Sequence, residues 1–339
     1  MKSINRIKYV VGILTVFTIL ITQGCQRNME TEGPSLNDLY GDFTVLEDFK
    51  ASQVDVDFAA NETVYFTARF STITSWTITI KSSTSDATKV IEGRSSLINE
   101  ENGMWDGSTT VFPSFGTGLC SVELWTEADS SVQNTTVNVT GLRTPTGIVV
   151  ADFESGINPG WNIFAQSGAN MTFRIANDQT VPQGSNYFDM GGEVNWDWLI
   201  GLIDFPATAM PSSNFGLSNN PNDVFFNVAL YRPDTLTNGV VLFQFKEDEN
   251  GDGNFNTANE DMYSLELTKL EPGWQIVSIK YSELVSLENG QPASPKGNAQ
   301  HNPDKLHTLS CLFLANPASG YSQALMDYVI FTTDGPLKL

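Results

Sequence analysis

The sequence predicts an all-β protein made of two successive β-sandwiches. Apolar and polar residues alternate over many short runs, turn-forming residues separate these runs, and no stretch has the period of a long helix. In "TVYFTARF", Val64, Phe66 and Phe70 share one face, and in "SWTITIKS" Trp76 and Ile78 do the same. A period of two is typical of half-buried antiparallel strands.

The first β region is predicted to cover residues 41–141. Further strand-like runs here are "SQVDVDF", "TKVIEG", "CSVELWTE" and "TTVNVTG", which gives about seven strands in about 100 residues. That number and that size predict an immunoglobulin-like sandwich. The fragment "GMWDGST" also resembles a turn of immunoglobulin-like modules in bacterial surface proteins.

A linker is predicted at 142–147, where "LRTPTG" has no apolar period, and a second β region follows at 148–339. About eight or nine strand-like runs predict a jelly-roll sandwich there. These runs include "MTFRIA", "VNWDWLIGLIDF", "DVFFNVALYR", "GVVLFQFKED", "DMYSLELTKL", "WQIVSIKYSEL", "LSCLFLA" and "LMDYVIFTT".

The N-terminus has the pattern of a secretory signal. Lys2, Arg6 and Lys8 precede an apolar run that is too short to span a bilayer as a helix. The sequence "ITQGC" that follows resembles the lipobox of bacterial lipoproteins. This resemblance implies that residues 1–24 are removed, that Cys25 is lipidated, and that 25–40 form a polar tether. A soluble secreted form and an uncleaved anchor remain alternatives.

The chain is strongly acidic, with a formal net charge of −21. Nucleic acids and anionic lipid surfaces are therefore excluded as direct partners, whereas neutral ligands and metal cations stay open. Cys120 and Cys311 each lie in an apolar strand-like run without metal-type spacing. They are interpreted as two separate buried thiols, with a disulfide between distant segments as the alternative.

The segment "FKEDENGDGNFNTANEDMY" concentrates carboxylates in a loop between two predicted strands. From Asp248, oxygen donors recur at every second residue, and Gly253 follows, as in the first half of an EF-hand calcium loop. The acid that closes an EF-hand loop would be displaced by one residue or more here. The predicted calcium ligands are Asp248, Asn250, Asp252, Asn254, Glu260 and Asp261. The alternative is a solvated loop that needs no ion.

A family resemblance covers most of residues 148–339. The opening "ADFESG…GW", the middle "GWQIVSIKYSEL" and the closing "ALMDYVIFTTDG" resemble the galactose-binding-like jelly roll of many carbohydrate-binding modules. Together with the lipobox, the tether and the first sandwich, the chain resembles surface glycan-binding lipoproteins of bacterial polysaccharide-utilisation systems. The resemblance implies a possible second structural calcium at Asp152, Glu154 and Asp327, for which solvent-facing or capping carboxylates are the alternative.

Sugar recognition needs aromatic faces beside amides and carboxylates. "GGEVNWDWLIG" provides Trp196 and Trp198 beside Asn195 and Asp197, and Trp161 follows an "NPG" turn. These five residues are the predicted glycan contacts. Because Trp196 and Trp198 share one strand face with apolar neighbours, burial in the core is the alternative.

Catalysis has little support in the sequence. No HExxH, GxSxG, P-loop or dinucleotide motif is present, and His301 and His307 are interpreted as surface residues. The sequence therefore predicts a non-catalytic, lipid-anchored protein of the outer membrane or cell surface that binds a polysaccharide or oligosaccharide and contains structural calcium. An envelope adhesion or assembly protein that binds another protein is the alternative.

Overall fold

The computed structural model describes residues 41–338 apart from 112, 169, 194–198, 234–238, 316–319 and 334. The predicted signal peptide, the tether and Cys25 lie outside the described residues. Within the described ranges, twenty strands and four short 3-10 turns make up the regular structure, so the all-β prediction is confirmed. No helix in these ranges has the length and apolar character needed to cross a membrane.

Seven strands from the first β region join into one sheet, in the order β1-β3-β6-β7-β2, with β4 and β5 paired to β3. All pairs are antiparallel except β2 with β7. The strands are β1 (Val45–Ala51), β2 (Asp55–Asp57), β3 (Val64–Ser82), β4 (Thr88–Ile98), β5 (Met104–Trp105), β6 (Gly118–Thr126) and β7 (Val132–Gly141).

Strand β3 merges two predicted strands into one of 19 residues. Its first half pairs with β1, with Phe70 opposite Val45, and its second half pairs with β6, with Ile78 opposite Leu124. Phe66 and Trp76 are both buried, so one long strand supplies the core at both ends. The number of strands agrees with the prediction. An immunoglobulin-like sandwich has two sheets, whereas these seven strands are joined into one, so the immunoglobulin-like assignment stays a prediction.

Thirteen strands from the second β region form two larger sheets and one small hairpin among the described residues. The six-stranded sheet has the order β10-β11-β20-β13-β16, with β8 paired to β20, and the five-stranded sheet has the order β15-β14-β19-β12-β9. The strands are β8 (Ile148–Ala151), β9 (Asn162–Ala165), β10 (Asn170–Ala176), β11 (Tyr187–Glu193), β12 (Leu199–Pro206), β13 (Val224–Arg232), β14 (Gly239–Glu247), β15 (Met262–Leu267), β16 (Gly273–Lys280), β17 (Leu287–Glu288), β18 (Gln291–Pro292), β19 (Leu306–Ala315) and β20 (Ser322–Thr333).

The two larger sheets enclose one aromatic-rich core, which makes this region a β-sandwich. Phe226 of β13 lies 4.9 Å from Phe243 and 5.1 Å from Phe245 of β14, measured between ring centroids. Phe331 of β20 packs on the same group at 5.5 Å from Phe226. These rings come from both sheets, so burying them holds the two layers together.

The outward side of the six-stranded sheet is covered by other parts of the chain. Leu325 and Tyr187 pack there with Val181, and Ile330 packs with Leu337 near the C-terminus. Below, this side is called the covered face.

The free thiols Cys120 and Cys311 are both buried, which confirms the prediction of two separate thiols.

Residues Val45–Leu339 form one compact unit. The strands of the first sheet end at Gly141 and those of the second region begin at Ile148, so no strand lies in the predicted linker. A backbone hydrogen bond from Ser114 N to Pro182 O, 3.0 Å long, joins the two β regions.

Candidate functional site

The outward side of the five-stranded sheet is exposed at its edge strand β9, while Ser310 and Ser264 further in are buried, and it is called the open face below. In β14, Phe243 and Phe245 face the core, so Gln244 and Lys246 between them face outward. The strand register aligns the outward residues of neighbouring strands in rows. One row is polar and contains Asn162, Asp204, Ser310, Gln244 and Ser264.

Asp204 is the centre of the polar row. Ser310 Oγ donates to Asp204 Oδ1, and Asn162 Nδ2 donates to Asp204 Oδ2 at 2.9 Å. Lys246 Nζ lies 3.6 Å from Asp204 Oδ1. One carboxylate thus orients side chains from three other strands. Because these side chains are already held in place, they would lose little conformational entropy on binding a ligand.

An apolar row lies beside the polar one. It consists of Phe164, Leu202, Leu312 and Leu242, and it ends at the carboxylate of Glu266. Phe164 is 43% exposed at the edge strand β9. An exposed ring next to fixed hydrogen-bonding groups is the combination that carbohydrate recognition requires.

The sequence analysis did not single out the open face. Its polar residues read as ordinary solvent-facing positions of separate strands, and only the register between β9, β12, β19 and β14 brings them together. The predicted contacts Asn195, Trp196, Asp197 and Trp198 lie outside the described residues. They directly precede β12, which carries Asp204.

Trp161, also predicted as a glycan contact, packs against the core. Its ring makes edge contacts with Phe205 at 5.0 Å and with Phe153 at 5.8 Å. The residue is half-buried, so a glycan contact through its remaining surface stays a prediction. Trp274 of β16 is partly buried on the covered face and donates to Thr180 O at 2.8 Å.

The acidic loop winds around Asp248. Its Oδ1 accepts from Gly251 N at 2.7 Å and its Oδ2 accepts from Gly253 N at 2.7 Å. Asn250 Oδ1 and Asp252 Oδ1 each accept from the backbone N–H two residues further on. The second of these bonds comes from the backbone N–H of Asn254. The predicted calcium ligands from 248 to 254 therefore belong to one tight turn that is ordered by its own hydrogen bonds.

The two acids that close the predicted loop turn in different directions. Glu260 is buried inside the loop, where its Oε2 accepts from Asn256 N at 2.6 Å. Asp261 points to another segment and accepts from Gly297 N at 2.6 Å and Ala299 N at 2.7 Å. The structure therefore brings Glu260, but not Asp261, to the turn around Asp248.

The donor chemistry of this turn suits a hard cation, because Asp248, Asn250, Asp252 and Glu260 all offer oxygen. In the part of the chain that the structure describes, no group of three or more His, Cys, Asp and Glu side chains is arranged to hold a metal ion. Calcium at this loop therefore stays a prediction. The hydrogen bonds of Asp248 would have to rearrange around an ion.

Glu247 and Glu249 at the end of β14, together with Asp261 just before β15, fix the segment from 297 to 302. Glu247 Oε1 accepts from Asn302 N at 2.9 Å and from Tyr281 Oη at 2.9 Å, while Glu249 Oε1 accepts from Asn298 N at 3.0 Å. Glu247 Oε2 is buried and has no partner among the described residues. Burial raises the pKa of Glu247 to about 8, and the nearby Glu249 and Asp261 carboxylates add to this.

The inward direction of Glu247 could have been read from the sequence. Val241, Phe243 and Phe245 alternate toward the core, so the next member of this series is Glu247.

His301 stacks on Tyr263 with ring centroids 4.0 Å apart, and its Nε2 is 2.9 Å from Leu284 O. His301 is thus part of the packing here and not a simple surface residue.

The acids of the possible second calcium site lie close enough to influence one another. Asp327 is buried, and burial raises its pKa to about 8, with the charges of Glu154 and Asp152 adding to the effect. Glu154 Oε1 accepts from Ser185 N at 2.7 Å and from Asn186 N at 2.8 Å. The carboxylates fit a cation by donor chemistry, and Glu154 also has the capping role that was the alternative.

No protein-family model matches the chain, and no curated protein matches it. Among solved structures, one of carbohydrate-binding modules from the β-sandwich superfamily aligns with a TM-score of 0.36 at 11% identity, over 86% of this chain and 98% of its own. A family 11 carbohydrate-binding module from Clostridium thermocellum, in complex with a β-1,3-1,4-mixed-linked tetrasaccharide, has a TM-score of 0.35 at 14% identity, over 56% and 98%.

SGBP-B from a complex xyloglucan utilization locus in Bacteroides uniformis has a TM-score of 0.33 at 14% identity, over 86% of this chain and 73% of its own. The structural neighbours thus include carbohydrate-binding modules and a protein of a glycan-utilisation locus. At these identities and TM-scores the similarity assigns no role to any residue of this chain.

Proposed function

We propose that the chain binds a neutral carbohydrate, without catalysis, through the open face. The observation that supports this most directly is the fixed polar row around Asp204 beside the exposed ring of Phe164. Sugar hydroxyls need donors and acceptors at set positions, and the C–H faces of a sugar ring pack on apolar or aromatic surface. The open face supplies both along adjacent strands.

The charge of the molecule favours a neutral glycan over a polyanion. The formal net charge is −21, and the lysine beside the polar row, Lys246, is already close to Asp204. An anionic polysaccharide would meet repulsion from most of the surface. Asp204 can instead accept from uncharged hydroxyl groups, and the amides of Asn162 and Gln244 can both accept from and donate to them.

The test is a glycan array and polysaccharide-retarded electrophoresis of the full chain. We expect Phe164→Ala combined with Asp204→Asn to abolish retardation by the polysaccharide that the wild type binds. The matched control is Trp125→Ala combined with Asp223→Asn, because Trp125 is an exposed ring on the first sheet and Asp223 is a half-buried acid away from the open face that, like Asp204, accepts from an asparagine side chain. Equal retardation of both variants and the wild type would reject the open face as the site.

Trp196 and Trp198 belong to the same proposal because they directly precede β12. We expect Trp196→Ala or Trp198→Ala to weaken binding to the same polysaccharide. If the folded wild type binds no glycan at all, the protein-partner alternative replaces the carbohydrate proposal.

Structural calcium is proposed at the turn around Asp248, with a second ion at Asp152, Glu154 and Asp327. Calcium would supply a positive charge among carboxylates that otherwise repel one another. Because extracellular calcium is about millimolar, even a weak site would fill there. The proposal predicts a calcium-dependent rise in melting temperature that a chelator reverses.

The location is proposed to be the outer membrane or cell surface, with a lipid on Cys25. The support is the lipobox-like "ITQGC" and the signal-type run before it. Cys25→Ala should release the chain from the membrane fraction of expressing cells. Unchanged retention of this variant would contradict a lipid anchor.

A further inference from the structure

A cleft of about 540 Å³ lies between the first β region and the segment 177–185 of the second region. Loop residues Ser85 and Ser114 contribute one wall, and Asn177 and Gln179 contribute the other. The hydrogen bond from Ser114 N to Pro182 O crosses between these walls. The volume falls within the roughly 300–1,000 Å³ that is usual for small-molecule sites.

The lining of this cleft combines apolar and polar surface with a single cation. No Asp or Glu is among its described lining residues, although the chain contains 39 of them. Its one charged side chain is Arg143, whose Nη1 lies 3.2 Å from Asp106 Oδ2. The aliphatic hydroxyl and amide side chains are Thr84, Ser85, Ser114, Thr144, Asn177, Gln179, Thr180, Gln183 and Ser185.

These groups include two exposed amides and one buried acceptor without a hydrogen-bond partner among the described residues. Gln183 Oε1 is buried and has no hydrogen-bond partner among the described residues, while the backbone N of Gln183 is held by Asp327 Oδ2 at 3.3 Å. A buried acceptor without a donor is unfavourable, and a ligand hydroxyl would satisfy it. Asn177 and Gln179 are exposed amides at the same cleft.

Apolar surface lies between the polar groups. Phe58, Phe115 and Tyr328 line the cleft and are otherwise buried, so only their edges reach it. The charge of Arg143 is offset by Asp106, and ring edges, amides and hydroxyls make up the polar and aromatic lining otherwise, which disfavours a metal ion, a phosphate or a charged peptide. This lining suits an uncharged molecule with many hydroxyl groups.

We propose that this cleft is a second ligand site, separate from the open face, and that it binds a short neutral saccharide. Gln183 Oε1 accepts from one ligand hydroxyl, and Asn177 and Gln179 bind others at the entrance. The site is independent of the open face because the two share no residue. A chain with both sites binds two saccharide segments at once.

The experiment is calorimetric titration of the full chain with four neutral tetrasaccharides: cellotetraose, mannotetraose, xylotetraose and maltotetraose. The titrations use the Phe164→Ala, Asp204→Asn variant, so that the remaining binding reports the cleft. We expect at least one tetrasaccharide to bind. Adding Asn177→Ala and Gln179→Ala, both at exposed positions, should weaken that binding at least tenfold.

A third substitution tests the buried acceptor. Gln183→Met keeps the length of the side chain and removes the amide, and it should also weaken the binding at least tenfold. The matched control is Gln300→Met at an exposed position outside the cleft, which should leave affinity unchanged. Melting curves verify that each variant is folded.

Two results would overturn the proposal. In the first, the wild type binds one of the four tetrasaccharides and the open-face variant binds none of them. This result would reject the cleft as a site and leave the open-face proposal intact. In the second, the open-face variant binds one of the four with an affinity that the Asn177→Ala, Gln179→Ala pair does not change.

Discussion

The two large sheets of the second β region treat their outward sides differently. The covered face of the six-stranded sheet is packed under Tyr187, Val181 and Leu337, whereas the open face of the five-stranded sheet shows a polar row and a half-exposed apolar row. Both sheets contribute to the same core between them. One outward side of the sandwich is thus buried under other segments, and the other keeps exposed residues at its edge, where the proposed ligand would bind.

Matched leucines on the two faces provide the largest expected contrast. Leu325 of β20 is 0% exposed on the covered face, and Leu312 of β19 is half-buried on the open face. We expect Leu325→Ala to lower the free energy of unfolding by about 2–5 kcal/mol, because it leaves a cavity. Leu312→Ala should cost about 1 kcal/mol or less. Urea unfolding measures both, and equal losses would refute the contrast.

Glu247 of the five-stranded sheet and Asp327 of the six-stranded sheet are both buried carboxylates with a raised pKa, and this predicts a pH dependence of stability. The folded chain holds the proton of Glu247 up to a pH of about 8, whereas an unperturbed glutamate releases it near 4.5. The free energy of unfolding should therefore fall as pH rises from 4.5 to 8, by up to about 1.4 kcal/mol per pH unit from this group.

Glu247→Gln should flatten this part of the curve, measured by urea unfolding between pH 5 and 9 in the presence of a chelator. Glu271→Gln at an exposed position is the control and should keep the wild-type slope. A slope that is the same in wild type and Glu247→Gln would mean that Glu247 is not protonated in the folded chain at neutral pH.

Matched aspartates test ligand binding on the two faces. Asp204 organises the open face, and Asp189 accepts from Gln323 Nε2 at 2.8 Å beneath the covered face. We expect Asp204→Asn to weaken glycan binding about tenfold, which corresponds to about 1.4 kcal/mol. Asp189→Asn should leave the dissociation constant unchanged. Loss of binding in both variants at equal stability would show that the covered face takes part.

The smallest expected effect concerns calcium at the turn beside β14. At about five times its dissociation constant, calcium should add about 1 kcal/mol to the free energy of unfolding. Asp248→Ala combined with Asp252→Ala should remove this increment, and Asp223→Ala should keep it. A wild-type melting temperature that is indifferent to calcium and chelator would contradict the site.

Much of the fold could be predicted from the sequence, because alternation identifies strands directly. Most of the predicted runs became strands, but "TVYFTARF" and "SWTITIKS" merged into β3, since nothing local ends the strand between Phe70 and Thr74. Strand β11 was missed because nearly all of its residues are buried, including Gly191 and Gly192, so it has no alternation. Periodicity detects half-buried strands and not fully buried ones.

The candidate site was less accessible to sequence reasoning. Asp204, Asn162 and Ser310 are far apart in sequence, and they meet only through the pairing of β9, β12 and β19. The acidic loop was recognised by its spacing, but the separation of Glu260 from Asp261 depends on the segment at 297–299. A single sequence contains no information about which distant backbone N–H groups will compete for a carboxylate.

The hydrogen bonds around Asp204 also have a kinetic consequence. Ser310 and Asn162 already hold this carboxylate in place, so the open face needs no slow rearrangement before a ligand arrives. Association rates should then be similar for related saccharides, and selectivity should reside in how long each one stays bound. On the proposed function, such a face would sample a long polymer quickly and pause where its residence time is greatest.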